Sequence, residues 1–281
     1  MEACNLCGGT QWETVEEAGP THVVRCICGL VFVTPQPPRA AIEHAYDAAY
    51  YRAWADQAAQ RARIWRRRIE RVESLHAPPG RLLDVGCGTG DFLRVARARG
   101  WDVRGTEVSP YACRQAAVDG LAVAPGEVWE AGFPPDAFDV VTCWHVIEHA
   151  WDPRRIVEEI RRVLRPAGWL VLATPNLQDR IFRAAYVLAR RRWVRLFEPD
   201  ERELHLFHFS ADTLGQLVAS AGLEVVEVGF DREAAAVRGK RLVNGIAYGW
   251  FRLTGLNWGM ALELLARKPG SAAPSGRGTT P

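Results

Sequence analysis

The sequence lacks several features that mark common classes of protein. Its N-terminus has neither the basic stretch nor the apolar stretch of an export signal. Its longest apolar-rich segment, 242–265, is a poor membrane span because it is interrupted by Asn244, Arg252, Asn257 and Glu263. The formal net charge is only +2, which gives no indication of a nucleic-acid partner, and no internal repeat is present. With 281 residues, 48% of them hydrophobic, the chain is expected to be a globular protein of the cytoplasm.

Without an export signal, the seven cysteines are interpreted as thiols or metal ligands and not as disulfides. Four of them form two close pairs, each followed by glycine: Cys4, Cys7, Cys26 and Cys28. Thiolate pairs in such turns suit tetrahedral Zn²⁺, so a structural zinc site is predicted. The second pair has one intervening residue where two are usual, and a degenerate lobe without metal is the alternative. Cys87, Cys113 and Cys143 are expected to be packing residues.

Composition divides the chain into consecutive parts. A zinc-ribbon-like lobe (1–35), rich in short β-type segments, ends at a proline-rich break, and a helical cap (36–79) follows. The main domain (80–268) contains two segments interpreted as lids, 178–204 and 231–258. The tail (269–281) has almost no apolar residues and is predicted to be disordered.

From residue 81 onward, segments typical of strands and helices alternate. The strand candidates are 81–85, 102–107, 121–124, 138–143, 168–174, 223–229 and 259–267. The helix candidates are 91–99, 109–118, 152–164 and 210–221, with helix starts indicated at Ser109-Pro110 and Ser210. Such alternation predicts an α/β domain with a mostly parallel sheet wrapped by helices.

The stretch from Leu82 to Gly90 is the most informative part of the sequence. An apolar strand ends in an acid, three alternate glycines follow, and a helix begins. Such a turn exposes backbone N–H groups to a ligand. A phosphate loop is excluded because no Gly-Lys-Ser/Thr ending is present. A dinucleotide fingerprint is disfavoured because Asp91 occupies the third glycine position, close to where a pyrophosphate would lie.

This turn and four further segments resemble, in order and spacing, the motifs of class I S-adenosylmethionine (SAM)-dependent methyltransferases. The segments are Asp84–Gly90, Gly105–Ser109, Phe133–Val141, Val146–His149 and Arg162–Leu170. The resemblance covers about 80–230. It implies a Rossmann-like methyltransferase fold, a doubly wound and mostly parallel seven-stranded sheet with a final antiparallel strand. The N-terminal segment resembles the zinc-ribbon lobe that many such enzymes carry.

The resemblance also implies a set of SAM-binding residues. Glu107 would accept the ribose hydroxyls, the glycines would face the methionine part, and Asp84 would meet its amino group. Glu127 is the candidate for the acid that contacts the adenine amine, with a solvated loop charge as the alternative. The full set is Asp84, Gly86, Cys87, Gly88, Gly90, Glu107, Val108, Glu127, Trp144 and His145.

The segment from His145 to His149 matches H-x-x-E-H, a zinc-peptidase pattern. A peptidase needs this pattern on a helix, whereas here it directly follows a strand candidate, so that interpretation is rejected. In the family this loop lines the cofactor and acceptor sites, which makes His145 and His149 candidate catalytic residues. Some relatives that methylate phenolic hydroxyls bind a divalent cation here, which would involve Glu148 and His149. The alternative is that Glu148 and His149 only orient the loop.

Histidines later in the chain are further candidates. His208, with the nearby His205, lies in a segment that resembles the stretch before the family's penultimate helix, where histidine reaches the acceptor. His208 is therefore predicted to be catalytic, and the alternative is that it is a structural histidine.

Two segments, 180–197 and 242–256, combine aromatic with apolar or basic residues. They are interpreted as a lid, an anionic-substrate contact or a peripheral membrane contact, with an ordinary amphipathic helix as the alternative.

Together these features predict a SAM-dependent methyltransferase acting on a small-molecule acceptor by O- or C-methylation. Phenolic, sugar and lipid-linked acceptors all fit the pattern, and the oligomeric state is not indicated. The arginine clusters and the zinc lobe leave an RNA methyltransferase as one alternative, although nucleic acid is not the favoured partner. The residues Thr174-Pro175-Asn176 stand where enzymes that methylate base amino groups carry an Asn/Asp-Pro-Pro-Tyr motif. A non-catalytic SAM-binding scaffold is the other alternative.

Overall fold

The computed structural model describes residues 3–55, 58–198, 203–234 and 238–270. Most of the predicted tail, 271–281, lies outside these ranges. The strands are β1 (Trp12–Ala18), β2 (Thr21–Cys26), β3 (Val31–Thr34), β4 (Arg81–Val85), β5 (Asp102–Glu107), β6 (Val123–Pro125), β7 (Phe138–Trp144), β8 (Leu164–Pro175), β9 (Phe207–His208), β10 (Glu224–Phe230) and β11 (Ala261–Arg267). The helices are α1 (Arg39–Ala45), α2 (Ala48–Ala55), α3 (Ala58–Glu73), α4 (Asp91–Ala98), α5 (Pro110–Val118), α6 (Pro153–Val163), α7 (Arg180–Arg190), α8 (Ala211–Ser220) and α9 (Arg238–Thr254).

The main sheet has seven strands in the order β10-β11-β8-β7-β4-β5-β6. The pairs from β8 to β6 are parallel, and β11 runs antiparallel to both β8 and β10. The predicted doubly wound sheet with an antiparallel final strand is therefore confirmed. Each predicted strand and helix of this domain is present, with its ends shifted by at most four residues.

The central strands are apolar because helices cover both faces of the sheet. Leu82 and Leu83 in β4 are fully buried, and β7 is buried at every position except Asp139. α6 shows the complementary helical pattern, burying Ile156 and Ile160 and directing its arginines outward. The sheet and its helices thus place the carboxyl ends of β4, β5 and β7 at one edge, where α/β proteins bind ligands.

Helix starts follow the predicted capping residues. Ser109 accepts a hydrogen bond from the Ala112 amide at the start of α5, and Pro110 occupies the first helical position. Ser210 and Thr213 form a reciprocal capping box at the start of α8. These caps fix the points at which the chain leaves β5 and β9.

The N-terminal lobe forms a second sheet in the order β1-β2-β3-β9. β9 comes from the main part of the chain, and Phe207 pairs with Phe32 of β3. A parallel bridge between Asn176 and Phe209 then connects this region to the end of β8. One continuous apolar core includes buried residues of both the lobe and the main sheet. The lobe therefore shares a sheet and a core with the domain that follows it.

The helices of the cap, together with α7 and α9, lie beside the sheet edge that carries the ligand site. α3 packs against α4, where Trp65 and Phe92 are 5.9 Å apart between ring centroids. α7 contacts α9. None of the helices in the described part of the chain has the length and apolar character needed to cross a membrane.

Candidate active site

The turn between β4 and α4 contains three glycines, so much of its backbone is not covered by its own side chains. Gly86, Gly88 and Gly90 have φ values of 67°, 56° and 84°, a conformation that residues with a Cβ rarely adopt. A Cβ on Gly86 would lie 2.4 Å from a methyl group of Val146, and one on Gly90 would lie 2.3 Å from Leu121. Gly86 and Gly88 both line the cavity, and the ring of Tyr51 lies 3.4 Å from where a Cβ on Gly88 would be.

Glu107 lies at the end of β5 as a buried hydrogen-bond acceptor. Its carboxylate accepts bonds from the amides of Gly88 and Ser109, both at 2.8 Å, and from the Tyr51 hydroxyl at 3.3 Å. Burial raises the pKa of Glu107, and the amide donors oppose this effect. Tyr51 therefore occupies a hydrogen-bonding position on the acid that was predicted to hold the ribose.

Asp84 is the next-to-last residue of β4, just before the turn, and is 3% exposed. It accepts a hydrogen bond of 2.6 Å from the hydroxyl of Thr142 in β7. Burial raises the pKa of Asp84 to about 7, although the Thr142 bond and the charge of Arg68 oppose the shift. Its carboxyl group therefore changes protonation near neutral pH.

A chain of charged groups crosses the cavity wall at His145, which follows β7 with φ of 56°. Its Nε2 lies 3.6 Å from Asp231, and its Nδ1 lies 3.4 Å from Glu148. Asp231 is also bound by Arg68 at 2.9 Å, and both of these residues are at least 97% buried. Burial alone would lower the pKa of His145, but Asp231 and Glu148 outweigh burial and raise it to about 9. His145 is thus an imidazolium at neutral pH.

Glu148, His149 and His205 form a cluster at the other end of the cavity. One ligand atom from each lies within 4.8 Å of the others, and the described residues include no further candidate metal cluster besides the N-terminal cysteines. His149 bonds the Leu204 carbonyl through Nδ1 at 2.9 Å, which leaves Nε2 free to face Glu148. Thr174 bonds one oxygen of Glu148, and the other oxygen faces Nδ1 of His145 at 3.4 Å and Nε2 of His149 at 3.8 Å.

Two histidines of this part of the cavity, His205 and His208, have lowered pKa values. Burial, with the charge of His149, lowers the pKa of His205 to about 4, and burial, with His205, lowers that of His208 to about 3. Both imidazoles are therefore neutral at neutral pH. His208 belongs to β9 and lines the cavity beside His205, with 6.3 Å between the ring centroids.

A single cavity of about 950 Å³ joins the glycine turn to the histidine cluster. This volume is at the upper end of the range typical of small-molecule sites. Of the residues predicted from the sequence, the following line it: Asp84, Gly86, Cys87, Gly88, Glu107, Val108, Glu127, Trp144, His145, His149 and His208. Gly90 does not line it, because its α-carbon faces Leu121 and α5. Gly90 therefore permits close packing at the turn.

Sequence reasoning missed several residues of the site. Arg68 lies within an arginine-rich helix with no feature that separates it from its neighbours, yet its guanidinium stacks on Trp144 at 4.2 Å. Asp231 follows a predicted strand but belongs to no recognised motif, so it was not predicted as a site residue. Tyr111, which stacks on Tyr51, also lines the cavity. A buried acid directly after a strand, at the ligand edge of an α/β sheet, was the available signal for Asp231.

The four N-terminal cysteines converge as predicted. Their sulfur atoms all lie within 4.8 Å of one another, with Cys4 and Cys28 at 3.7 Å and Cys7 and Cys26 at 3.5 Å. Four thiolates around Zn²⁺ at about 2.3 Å have sulfur atoms separated by roughly 3.8 Å, so the donor set fits this ion. The single residue between Cys26 and Cys28 does not prevent convergence, because Gly29 turns the chain with φ of 91°.

The seven-stranded sheet, the glycine turn and the acid after the second strand of the domain define a class I SAM-dependent methyltransferase. Residues 57–228, more than half of the chain, match the family described as a methyltransferase domain. The chain belongs to this family and is a SAM-dependent methyltransferase.

Similar proteins agree with this assignment. The ubiquinone biosynthesis O-methyltransferase of Burkholderia thailandensis is 27% identical over 160 residues, which cover 54% of this chain and 68% of the relative. The enzyme of the same name from Paraburkholderia phymatum is 32% identical over 117 residues, covering 39% of this chain and 50% of that protein. A SAM-dependent methyltransferase from Thermotoga maritima has the same fold, with a TM-score of 0.55 and 18% identity over 81% of this chain and 99% of the other.

Proposed function

We propose that this protein transfers a methyl group from SAM to a hydroxyl oxygen of a small aromatic acceptor. The observation that carries the proposal is the cavity with a glycine turn and Glu107 at one end and the Glu148–His149–His205 cluster at the other. The names of the curated relatives, which are O-methyltransferases, support oxygen as the accepting atom.

The end of the cavity formed by the glycine turn and Glu107 has polar groups that match those of SAM. SAM supplies an electrophilic methyl group on a sulfonium. Glu107 is a buried carboxylate that accepts ribose hydroxyls once the Tyr51 hydroxyl gives way, and Asp84 meets the ammonium group. Backbone N–H groups at the start of α4 face the carboxylate. Glu127 meets the adenine amine, and Val108, Trp144 and His145 complete the wall.

The histidine end fits a hydroxyl acceptor. In-line methyl transfer needs alignment of donor and acceptor and a group that removes the hydroxyl proton. We assign that proton to Nε2 of His149, because Nδ1 of the same ring is held by the Leu204 carbonyl. Glu148, oriented by Thr174, then stabilises the charged imidazole. His145 and His208 line the cavity on either side as acceptor-positioning groups.

The same cluster also fits a divalent cation. One carboxylate and two imidazoles are a ligand set typical of divalent transition metals, and Glu148, His149 and His205 would hold the ion. Such an ion would lower the pKa of a bound hydroxyl and so replace the base. Loss of turnover in His205→Ala separates these two forms of the proposal, because the ion needs His205 as a ligand and the base does not.

A structural zinc is proposed at Cys4, Cys7, Cys26 and Cys28. The fit of the sulfur distances to a tetrahedral ion supports it. The role of the ion would be to stabilise the lobe whose strand β3 pairs with β9. That pairing places the lobe next to the acceptor end of the cavity.

The experiment is methyl transfer from SAM to a panel of catechols, monophenols, sugars and amines, followed by mass spectrometry, with and without a chelator. Turnover confined to the hydroxylated aromatics supports the proposal. Turnover of amines or sugars only would contradict it. Tight SAM binding without turnover of any acceptor would instead indicate a SAM-binding scaffold.

A further inference from the structure

A second cavity, of about 480 Å³, adjoins the methyl-transfer cavity at Glu233 and lies between α3, the segment after β10, and α9. Four arginines line it: Arg63, Arg67, Arg232 and Arg241. Among the described residues of its wall, Glu233 is the one acid, and it faces Arg67 at 3.7 Å. The guanidinium of Arg232 lies over the ring of Tyr248 at 4.7 Å, which holds it at the wall. The cavity therefore carries an excess of positive charge.

Asn244 adds a polar group that points to a ligand. Its side-chain nitrogen donates to the carbonyls of Asp231 and Arg232, at 3.2 and 3.4 Å, which fixes the orientation of the amide. The residue is only 4% exposed, and its Oδ1 has no hydrogen-bond partner in the described part of the chain. A buried acceptor without a donor is costly, so this atom indicates a hydroxyl or ammonium group in the occupant.

The outer face of α9 continues from this cavity as an apolar stripe. Leu242, Ile246, Trp250 and Leu253 follow helical spacing on one face and are 70%, 59%, 37% and 86% exposed. The helix contains no acid, and Lys240, Arg241 and Arg252 flank the stripe. Exposed apolar side chains on a helix whose charged residues are all basic are typical of helices that lie in the surface of an anionic membrane.

We propose that this face docks on a membrane of anionic phospholipid. The phosphodiester of one headgroup binds the arginines of the second cavity, a headgroup hydroxyl donates to Asn244 Oδ1, and the α9 stripe enters the acyl boundary. A free phosphoester shares the headgroup chemistry but gives no role to the exposed stripe. This inference does not depend on which acceptor is methylated.

The docking face is connected to the methyl-transfer cavity. Lys240 of α9 lies 5.6 Å from the ring of Phe182 in α7, and both residues line the larger cavity. α7 itself contains no acid, and Leu188 and Trp193 near its end are 82% and 83% exposed. A membrane bound at α9 therefore lies beside one wall of the acceptor site.

The test is co-sedimentation of the full chain with phosphatidylcholine vesicles, with and without phosphatidylglycerol. The expected result is at least ten-fold stronger partitioning when phosphatidylglycerol is present, decreasing with salt. The pair Arg63→Gln and Arg241→Gln is expected to weaken this partitioning by about 25-fold, since each basic residue at an anionic surface contributes roughly five-fold. The matched control pair, Arg25→Gln and Arg114→Gln on distant exposed sites, changes it by less than about two-fold.

Two further measurements distinguish a lipid headgroup from a free phosphoester as the ligand of the cavity. Leu253→Ser is expected to weaken vesicle binding about ten-fold and to leave the thermal stability unchanged, because the leucine is exposed. Glycerol 3-phosphate serves as the soluble probe in calorimetry. Equal partitioning to both vesicles overturns the proposal, as does an equal loss in the control pair. Binding of glycerol 3-phosphate without vesicle binding would assign the cavity to a free phosphoester instead.

Discussion

At the scale of single residues, two buried carboxyl groups below the glycine turn differ in their surroundings. Glu107 accepts two amide bonds and one hydroxyl bond, which favour its charged form. Burial raises the pKa of both groups, and it raises that of Asp84, which accepts a bond from Thr142, to about 7. Asp84 is therefore placed to exchange a proton when a cationic group binds near neutral pH.

SAM binding is expected to release about half a proton from Asp84 at pH 7, because the cofactor's ammonium group lowers the pKa of the adjacent carboxyl. The calorimetric enthalpy of binding will then differ between phosphate and Tris buffers, which differ in ionisation enthalpy. The Asp84→Asn variant removes the buffer dependence. A wild-type enthalpy that is the same in both buffers contradicts the assignment.

The same group affects folding without the cofactor. Between about pH 4 and pH 7 the folded Asp84 keeps its proton while the unfolded one has lost it, so stability falls as pH rises through this window. The loss amounts to at most about 4 kcal/mol. Denaturant unfolding of Asp84→Asn is expected to show a flatter pH dependence than the wild type. An identical dependence in the two proteins would be inconsistent with the raised pKa.

The positions of Asp84 and Glu107 were predictable from the sequence, and their protonation was not. Motif spacing places each acid at the end of a strand, which is a local property of the chain. The pKa values depend on Thr142, Arg68 and Tyr51, which reach the acids from other elements. No local pattern encodes those contacts.

At the scale of elements, the glycine turn combines two separate constraints. Gly86 needs both a positive φ and space beside Val146, whereas Gly132 has φ of 64° and none of the described residues lies within 4 Å of its would-be Cβ. Gly132, in the loop between β6 and β7, therefore provides a matched control for the turn.

Gly86→Ala is expected to destabilise the protein by about 2–4 kcal/mol, through backbone strain and overlap with Val146. Gly132→Ala carries the strain alone and is expected to cost about 1 kcal/mol. Urea unfolding of the two variants measures the difference. Equal costs would show that the Val146 contact does not constrain the turn.

Elements defined by local signals were predicted, and those defined by distant partners were missed. The starts of α5 and α8 follow from Ser109 and Ser210, whose capping is local. β9 has only two residues, and it exists because Phe207 pairs with Phe32 of the N-terminal lobe. Hydrophobic periodicity cannot indicate so short a strand.

At the scale of the whole molecule, the order of motifs predicted the main sheet, but the construction of the acceptor end was not predictable. The cavity wall draws residues from the loop after β7, the segment that contains β9, α3 and the segment after β10. The Arg68–Asp231 ion pair joins positions 163 residues apart. The lobe, the cap and the sheet therefore act together at one cavity.

Removal of zinc is expected to affect the whole molecule, because β3 of the lobe holds β9. A strong chelator is expected to lower Tm by at least about 5 °C, equivalent to roughly 2 kcal/mol for a chain of this size. Native mass spectrometry is expected to find one zinc ion in the wild type and in Cys113→Ser, and none in Cys7→Ser. A wild-type protein without zinc, with a Tm unaffected by the chelator, refutes the structural metal.

The most direct test of the central claim uses SAM with a deuterated methyl group and a catechol acceptor. The account predicts label on the acceptor oxygen and a loss of at least about 100-fold in kcat for His149→Ala. The affinity for SAM is expected to stay within about two-fold of the wild type, because the proposed role of His149 concerns the acceptor and not the cofactor. His22→Ala, an exposed histidine of the N-terminal lobe, is the control and is expected to retain full activity. Label on carbon or nitrogen, or unchanged turnover in His149→Ala, would contradict the account.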